Sequence, residues 1–242
     1  MKQIYENYTT QDQQVWQLLF DRQMKLLPAL ASPAYIEGIE KADFVRNKIP
    51  DFVEMNERLL KITGWQVVAV EGLIPNKDFF ELLAEKKFPA STWFRNLEHL
   101  DYLEEPDMFH DVFGHVPLLT NHNFCGFLKG LSVIALKVIE NEKAIENISR
   151  IYWYTVEFGL IKNPQLLIYG AGILSSGGES VYALQSATPK RLPYNVKVII
   201  NTPYIKDKFQ TQYFVIDSYQ QLFDSLGEVE KEINYRIAST EG

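Results

Sequence analysis

The sequence predicts a mainly α (α+β) fold, a single helical domain over residues 1–242 with small peripheral β elements. Helical periodicity dominates the first quarter and the stretch from about Phe124 to Ile161, β-branched runs are short and scattered, and no linker, internal repeat or low-complexity tract divides the chain. Thr10 with Gln13 forms a capping box, and Val15, Leu18, Leu19, Arg22 and Leu26 follow at helical spacing, predicting a helix over 11–27 that Pro28 closes. A second helix starts at Ser32-Pro33, with serine as cap, and a third runs from Asp51 to Ile62 before Gly64.

Trp65 to Val70 is β-branched after a glycine and reads as a short strand, followed by a loop over 71–76. Asn76 caps a helix carrying Phe79, Leu82 and Leu83. Ser91 to Arg95 is extended, and after the helical stretch 124–161 regularity breaks twice, at Tyr169-Gly-Ala-Gly172 and Ser175-Ser-Gly-Gly178. Val196–Ile200 and Gln212–Ile216 read as strands, and Ser218 caps a last helix from about Tyr219 to Ile237 without a sustained heptad.

Apolar residues make up 46% of the chain and aromatic ones 13%, enough for a sizeable core, while a net charge of -7 disfavours nucleic acid or an anionic membrane as partner. A small-molecule ligand is expected. The single cysteine, Cys125, excludes an internal disulfide framework and suits a reducing, cytoplasmic compartment. Its apolar neighbours mark it as a small buried hydrophobe. No basic region followed by an apolar run opens the chain, and the most apolar segment, Leu131 to Ile139, is too short to span a bilayer.

His110 and His115 lie in Glu105-Pro-Asp-Met-Phe-His-Asp-Val-Phe-Gly-His115, and Glu157 lies in an aromatic and aliphatic run, Ile151 to Phe158. Two imidazoles and one carboxylate can occupy one face of a ferrous ion and leave the other for oxygen and substrates. On a continuous α-helix, positions five apart sit about 140° apart, so the helix is expected to end between the histidines, at Gly114 and Pro117. A carboxylate among apolar residues is costly unless paired or metal-bound. The same donors suit a zinc hydrolase, with Asp111 as base, although the usual His-Glu-x-x-His helix is absent. A binding module with structural histidines is the third reading the residues leave open.

The segments Glu105 to Leu119, Tyr152 to Leu160 and Tyr169 to Ser176, in this order, resemble the pterin-dependent aromatic amino acid hydroxylases, most closely the bacterial phenylalanine 4-hydroxylases. The resemblance covers nearly the whole chain. It implies that His110, His115 and Glu157 hold Fe(2+), that tetrahydrobiopterin is the cofactor, and that O2 hydroxylates L-phenylalanine to L-tyrosine. Tyrosine and tryptophan hydroxylases share these motifs. Arg95 corresponds to the arginine that binds the substrate carboxylate, and Pro106, His110 and Trp153 to the cage around the ring. Ser175 corresponds to a serine beside the substrate and an iron-bound histidine. Gly72, Leu73 and the following loop match the segment whose backbone bonds the pterin, Phe79 matches the aromatic residue that stacks on it, and Asp111 and Tyr152 are further pterin-side candidates.

Gly170 and Gly172 are expected to let backbone pass closely. Leu103 stands where animal enzymes carry a substrate-binding threonine. The resemblance further implies a catalytic domain without the animal enzymes' regulatory domain or C-terminal tetramerisation helix, and a monomer.

Overall fold

Thr9, rather than Thr10, begins the first helix: its hydroxyl accepts from the Asp12 N–H while the Asp12 carboxylate accepts from the Thr9 N–H. In the computed structural model, which describes residues 1–101 and 105–240, this helix α1 spans Thr10–Leu30. Pro28 lies inside its last turn, and the ladder still closes from the Ala31 N–H to the Leu27 carbonyl at 2.8 Å. Ser32 caps α2 (Pro33–Lys41) as expected, and Asp51, read as the first residue of the third helix, is instead the cap of α3 (Phe52–Ile62). Leu103 lies outside the described residues.

β1 (Gln66–Ala69) pairs in parallel with β2 (Lys87–Ala90) across α4 (Asn76–Ala84), a β-α-β unit. Asn76 is inside α4 and gives it no side-chain cap, and residues 91–95 continue from β2 as an irregular segment. Two long helices follow, α5 (His122–Lys137) and α6 (Glu142–Tyr152), each capped by an asparagine. The expected helical stretch ends earlier than 161, because Gly159–Lys162 is a strand, β3.

β3 pairs antiparallel with β4 (Leu166–Ile168) and parallel with β6 (Gln212–Ile216), whose other edge pairs parallel with β5 (Lys190–Pro193). The register sets Leu160 opposite Ile168 on one side and Val215 on the other. Between β4 and β5 lie α7 (Ala171–Leu174) and α8 (Gly177–Gln185), so the first of the two glycine-rich breaks leads into α7 and the second into α8.

Val196–Ile200 is a short helix, α9, and not a strand: the Asn195 carboxamide accepts from the Val198 N–H at 3.0 Å, and Val196, Ile199 and Ile200 are all buried. Their i, i+3, i+4 spacing is that of a helix face, and α9 packs on α6. The last predicted helix is two, α10 (Tyr219–Asp224), capped by Ser218 as expected, and α11 (Leu226–Thr240).

Buried apolar side chains from Val15 in α1 to Ile233 in α11 form one packed cluster, in which the aromatic rings of Trp16, Phe109 and Phe113 pack on one another. Among the described residues, no helix is long and apolar enough to cross a membrane. Cys125 is buried and its thiol donates to the Leu119 carbonyl; burial pushes its pKa up to about 12, which makes it inert.

Candidate active site

The helix bearing the two histidines does not stop between them. Phe109–His115 is one continuous π-helix, followed by a 3-10 turn, Val116–Thr120, that contains Pro117. A π-helix bonds i to i+5 and so sets residue i+5 over residue i, which brings His110 and His115 to one side without a break. Trp153–Glu157 is a second π-helix, at the end of α6. Both packs of unusual backbone lie against the short α7.

His115 Nε2 lies 3.2 Å from Glu157 Oε1, His110 Nε2 lies 3.5 Å from Glu157 Oε2, and the two Nε2 atoms are 3.4 Å apart. Each residue thus offers one ligand atom to a common space. Ser175 sets the tautomer of His110: its hydroxyl donates to the Ala171 carbonyl at 2.9 Å, so its oxygen accepts from His110 Nδ1–H at 3.0 Å. That leaves the His110 Nε2 lone pair aimed at a carboxylate and a second imidazole, an arrangement that calls for a cation. His115 Nδ1 is buried without a hydrogen-bond partner among the described residues, and its ring lies 4.8 Å from that of Phe88.

Electrostatics favour the same protonation states that a metal needs. Burial holds His110 below the usual imidazole range despite Glu157 nearby. Burial pushes Glu157 upward, but the His115 and His110 imidazoles override it and leave the carboxyl below its ordinary value. Burial raises Asp111, partly offset by His110 and the Ser91 N–H, which donates to its Oδ2 at 2.7 Å. The Tyr152 phenol is pushed well up by burial and by the carboxylates of Glu157 and Asp111.

Arg95 is buried and already paired. Its Nε and Nη2 donate to both oxygens of Asp107 at 2.8 Å, and Nη1 donates to the Leu100 carbonyl at 3.2 Å. Of the five N–H groups on a guanidinium, three are used among the described residues, which leaves one on each terminal nitrogen for a bidentate carboxylate. Asp107, fully buried, also accepts from the Arg95 and His110 backbone N–H groups, so it ties the arginine to the first π-helix. Sequence reading missed Asp107, although an aspartate three residues before His110, beside the apolar Met108, carried a signal for backbone capping. Pro106 is half-buried and its carbonyl accepts weakly from Ser91 Oγ at 3.5 Å.

The Trp153 ring stacks on Tyr204 with centroids 4.5 Å apart and lies 4.7 Å from Phe158, and its Nε1–H donates to Gln210 Oε1 at 3.1 Å. Phe79 of α4 meets Tyr152 edge to face at 5.5 Å, so these two candidates adjoin, and Tyr152 is near enough to Asp111 to feel its charge. Phe80 and Leu83, not Phe79, are the buried residues of α4. Leu73 is 77% exposed, Gly72 and Ile74 are half-buried, and a Cβ on Gly72 meets nothing within 4 Å among the described residues. Gly170 and Gly172 behave as expected: a Cβ on Gly170 falls 2.4 Å from the Glu157 carbonyl, and one on Gly172 falls 2.7 Å from Phe158.

The family model for biopterin-dependent aromatic amino acid hydroxylases matches residues 2–239. The chain is 50% identical over 226 residues to phenylalanine-4-hydroxylase of Ralstonia nicotianae, covering 93% of this chain and 72% of the relative. It is 47% identical over 226 residues to that of Chromobacterium violaceum, covering 93% and 76%. The crystal structure of the Chromobacterium violaceum enzyme with bound oxidised Fe(III) superposes with a TM-score of 0.94 at 46% identity, over 98% of this chain and 86% of that one. The structure of that enzyme with iron(III) and the oxidised cofactor 7,8-dihydrobiopterin has a TM-score of 0.93 at 45% identity, over 99% and 86%.

Proposed function

The chain belongs to the biopterin-dependent aromatic amino acid hydroxylase family, and we propose from that premise that it is a non-haem iron(II), tetrahydrobiopterin-dependent phenylalanine 4-monooxygenase forming L-tyrosine from L-phenylalanine and O2. The observation that carries the reading is the convergence of His110, His115 and Glu157 on one space, 3.2–3.5 Å apart, with His110 Nε2 left bare by Ser175. In the related Chromobacterium violaceum structures, iron and dihydrobiopterin are bound. Ferrous iron and a tetrahydropterin, when bound, supply the redox chemistry that activates dioxygen, which zinc cannot.

The chain's own residues do the rest by binding and orientation. Arg95, held by Asp107, presents its two remaining N–H groups to the amino acid carboxylate. Trp153 and Pro106 wall the aromatic ring, and Ser175 keeps the His110 lone pair aimed at the metal. Phe79, backed by Tyr152, offers a face to the pterin ring, with Gly72, Leu73 and Asp111 around it. One packed core from Val15 to Ile233 supports a single catalytic domain. The buried thiol Cys125 is consistent with the cytoplasm.

Protein loaded with ferrous iron and given tetrahydrobiopterin and O2 should convert phenylalanine to tyrosine in competition with tyrosine and tryptophan. Turnover of tryptophan alone would reassign the substrate, and equal activity with zinc would overturn the mechanism. If Arg95→Ala leaves the KM for phenylalanine unchanged, the carboxylate assignment fails.

A further inference from the structure

The connection between α9 and β6, residues 201–211, has no regular structure, yet its Gln210 is only 2% exposed. Three of its polar groups are spoken for. The Gln210 backbone N–H donates to Glu179 Oε1 at 3.1 Å, its Nε2 donates to the Ile205 carbonyl at 2.7 Å, and its Oε1 accepts from the Trp153 indole at 3.1 Å. Glu179, on α8, is itself buried and accepts from the Tyr213 hydroxyl at 2.6 Å. No lysine or arginine forms an ion pair with Glu179 among the described residues, and burial raises its pKa.

A buried carboxylate without a cation is an expensive way to hold a loop, and apolar packing does that work at lower cost. What Glu179 holds is the backbone of Gln210, whose buried side-chain oxygen meets an indole N–H. The same loop supplies Tyr204, stacked on the Trp153 ring at 20° between planes. Stacking fixes the plane of an indole but leaves it free to slide and turn within that plane. The hydrogen bond at Nε1 removes that freedom.

We propose that Gln210, fixed by Glu179, is a positioning residue for the substrate ring, acting through the indole N–H of Trp153. The inference rests on the reading that Trp153 walls the ring pocket. A small turn of the indole moves the surface against which the substrate ring packs, and misplacement at a reacting centre costs both affinity and productive turnover.

The test is a double-mutant cycle in the iron-loaded enzyme, reading the KM for phenylalanine and the tyrosine formed per tetrahydropterin oxidised. Gln210→Met keeps the volume and removes the acceptor, leaving a buried donor unpaired, so KM should rise about tenfold and coupling should fall. In a Trp153→Phe background, which has no N–H, Gln210→Met should change KM by less than about twofold. The same tenfold effect in both backgrounds would show that Gln210 merely props the fold, and would overturn the proposal. If Trp153→Phe is impaired while Gln210→Met behaves as wild type, the proposal fails and the pocket reading stands. If Trp153→Phe alone leaves KM and coupling at wild-type values, the pocket reading itself fails. Should Gln210→Met not fold, replacing Trp153 by β-(3-benzothienyl)alanine removes only the N–H and keeps the ring's shape. The same loss of coupling is expected, and wild-type coupling would overturn the proposal.

Discussion

The two halves of the site are built differently. Around the metal ligands, the fold supplies several supports: Ser175 orients His110, Asp107 ties Arg95 to the first π-helix, and α7 packs against both π-helices with Gly170 close on the Glu157 carbonyl. On the proposed pterin side, Phe79 and Tyr152 meet edge to face, but Leu73 is exposed and a Cβ on Gly72 has open space around it among the described residues. The first half is tied together by the fold, and the second leaves more surface open. Mutations in the first half should therefore damage metal binding or stability, and mutations in the second should act on cofactor affinity alone.

The largest effect should come from the ligands themselves. Glu157→Gln removes the charge that two imidazoles draw on, and tyrosine formation at saturating pterin should fall by about a hundredfold or more. Ser175→Ala frees the His110 ring to adopt either tautomer, and iron affinity, followed by chelator competition, should weaken by roughly 10–100-fold. Gly170→Ala drives a methyl into the Glu157 carbonyl, and thermal or urea unfolding should register a loss of about 1–3 kcal/mol.

The other half should respond more mildly. Phe79→Leu removes a stacking face from a half-buried position, so the pterin KM should rise several-fold, with the melting temperature nearly unchanged. Gly72→Ala should alter stability by less than about 0.5 kcal/mol, because nothing lies near the added methyl. A destabilisation by Gly72→Ala as large as that by Gly170→Ala would erase the contrast between the halves.

What the sequence disclosed follows the range of the forces involved. Caps at Ser32 and Ser218 act within three residues and were readable, as were the helices they start. The three ligand positions were readable from residue type and neighbours together with the family resemblance. The π-helix was not: it shifts each hydrogen bond by one residue, which no apolar pattern records, so a break was expected where the backbone runs on. The short run Val196–Ile200 fits strand and helix alike, and only packing on α6 chose between them. Gln210, 57 positions from Trp153, and Glu179, 31 from Gln210, were invisible because their partners are remote in the chain. Asp107 lay closer at hand, and its pairing with Arg95, twelve residues away, required the fold to bring the two together.

The central claim is that His110, His115 and Glu157 together hold one ferrous ion. Anaerobic titration of the purified protein with Fe(2+) tests it most directly. The wild type should take up one equivalent tightly, and Glu157→Gln and His115→Ala, folded by circular dichroism, should each lose that binding. Undiminished uptake by either variant would contradict the assignment.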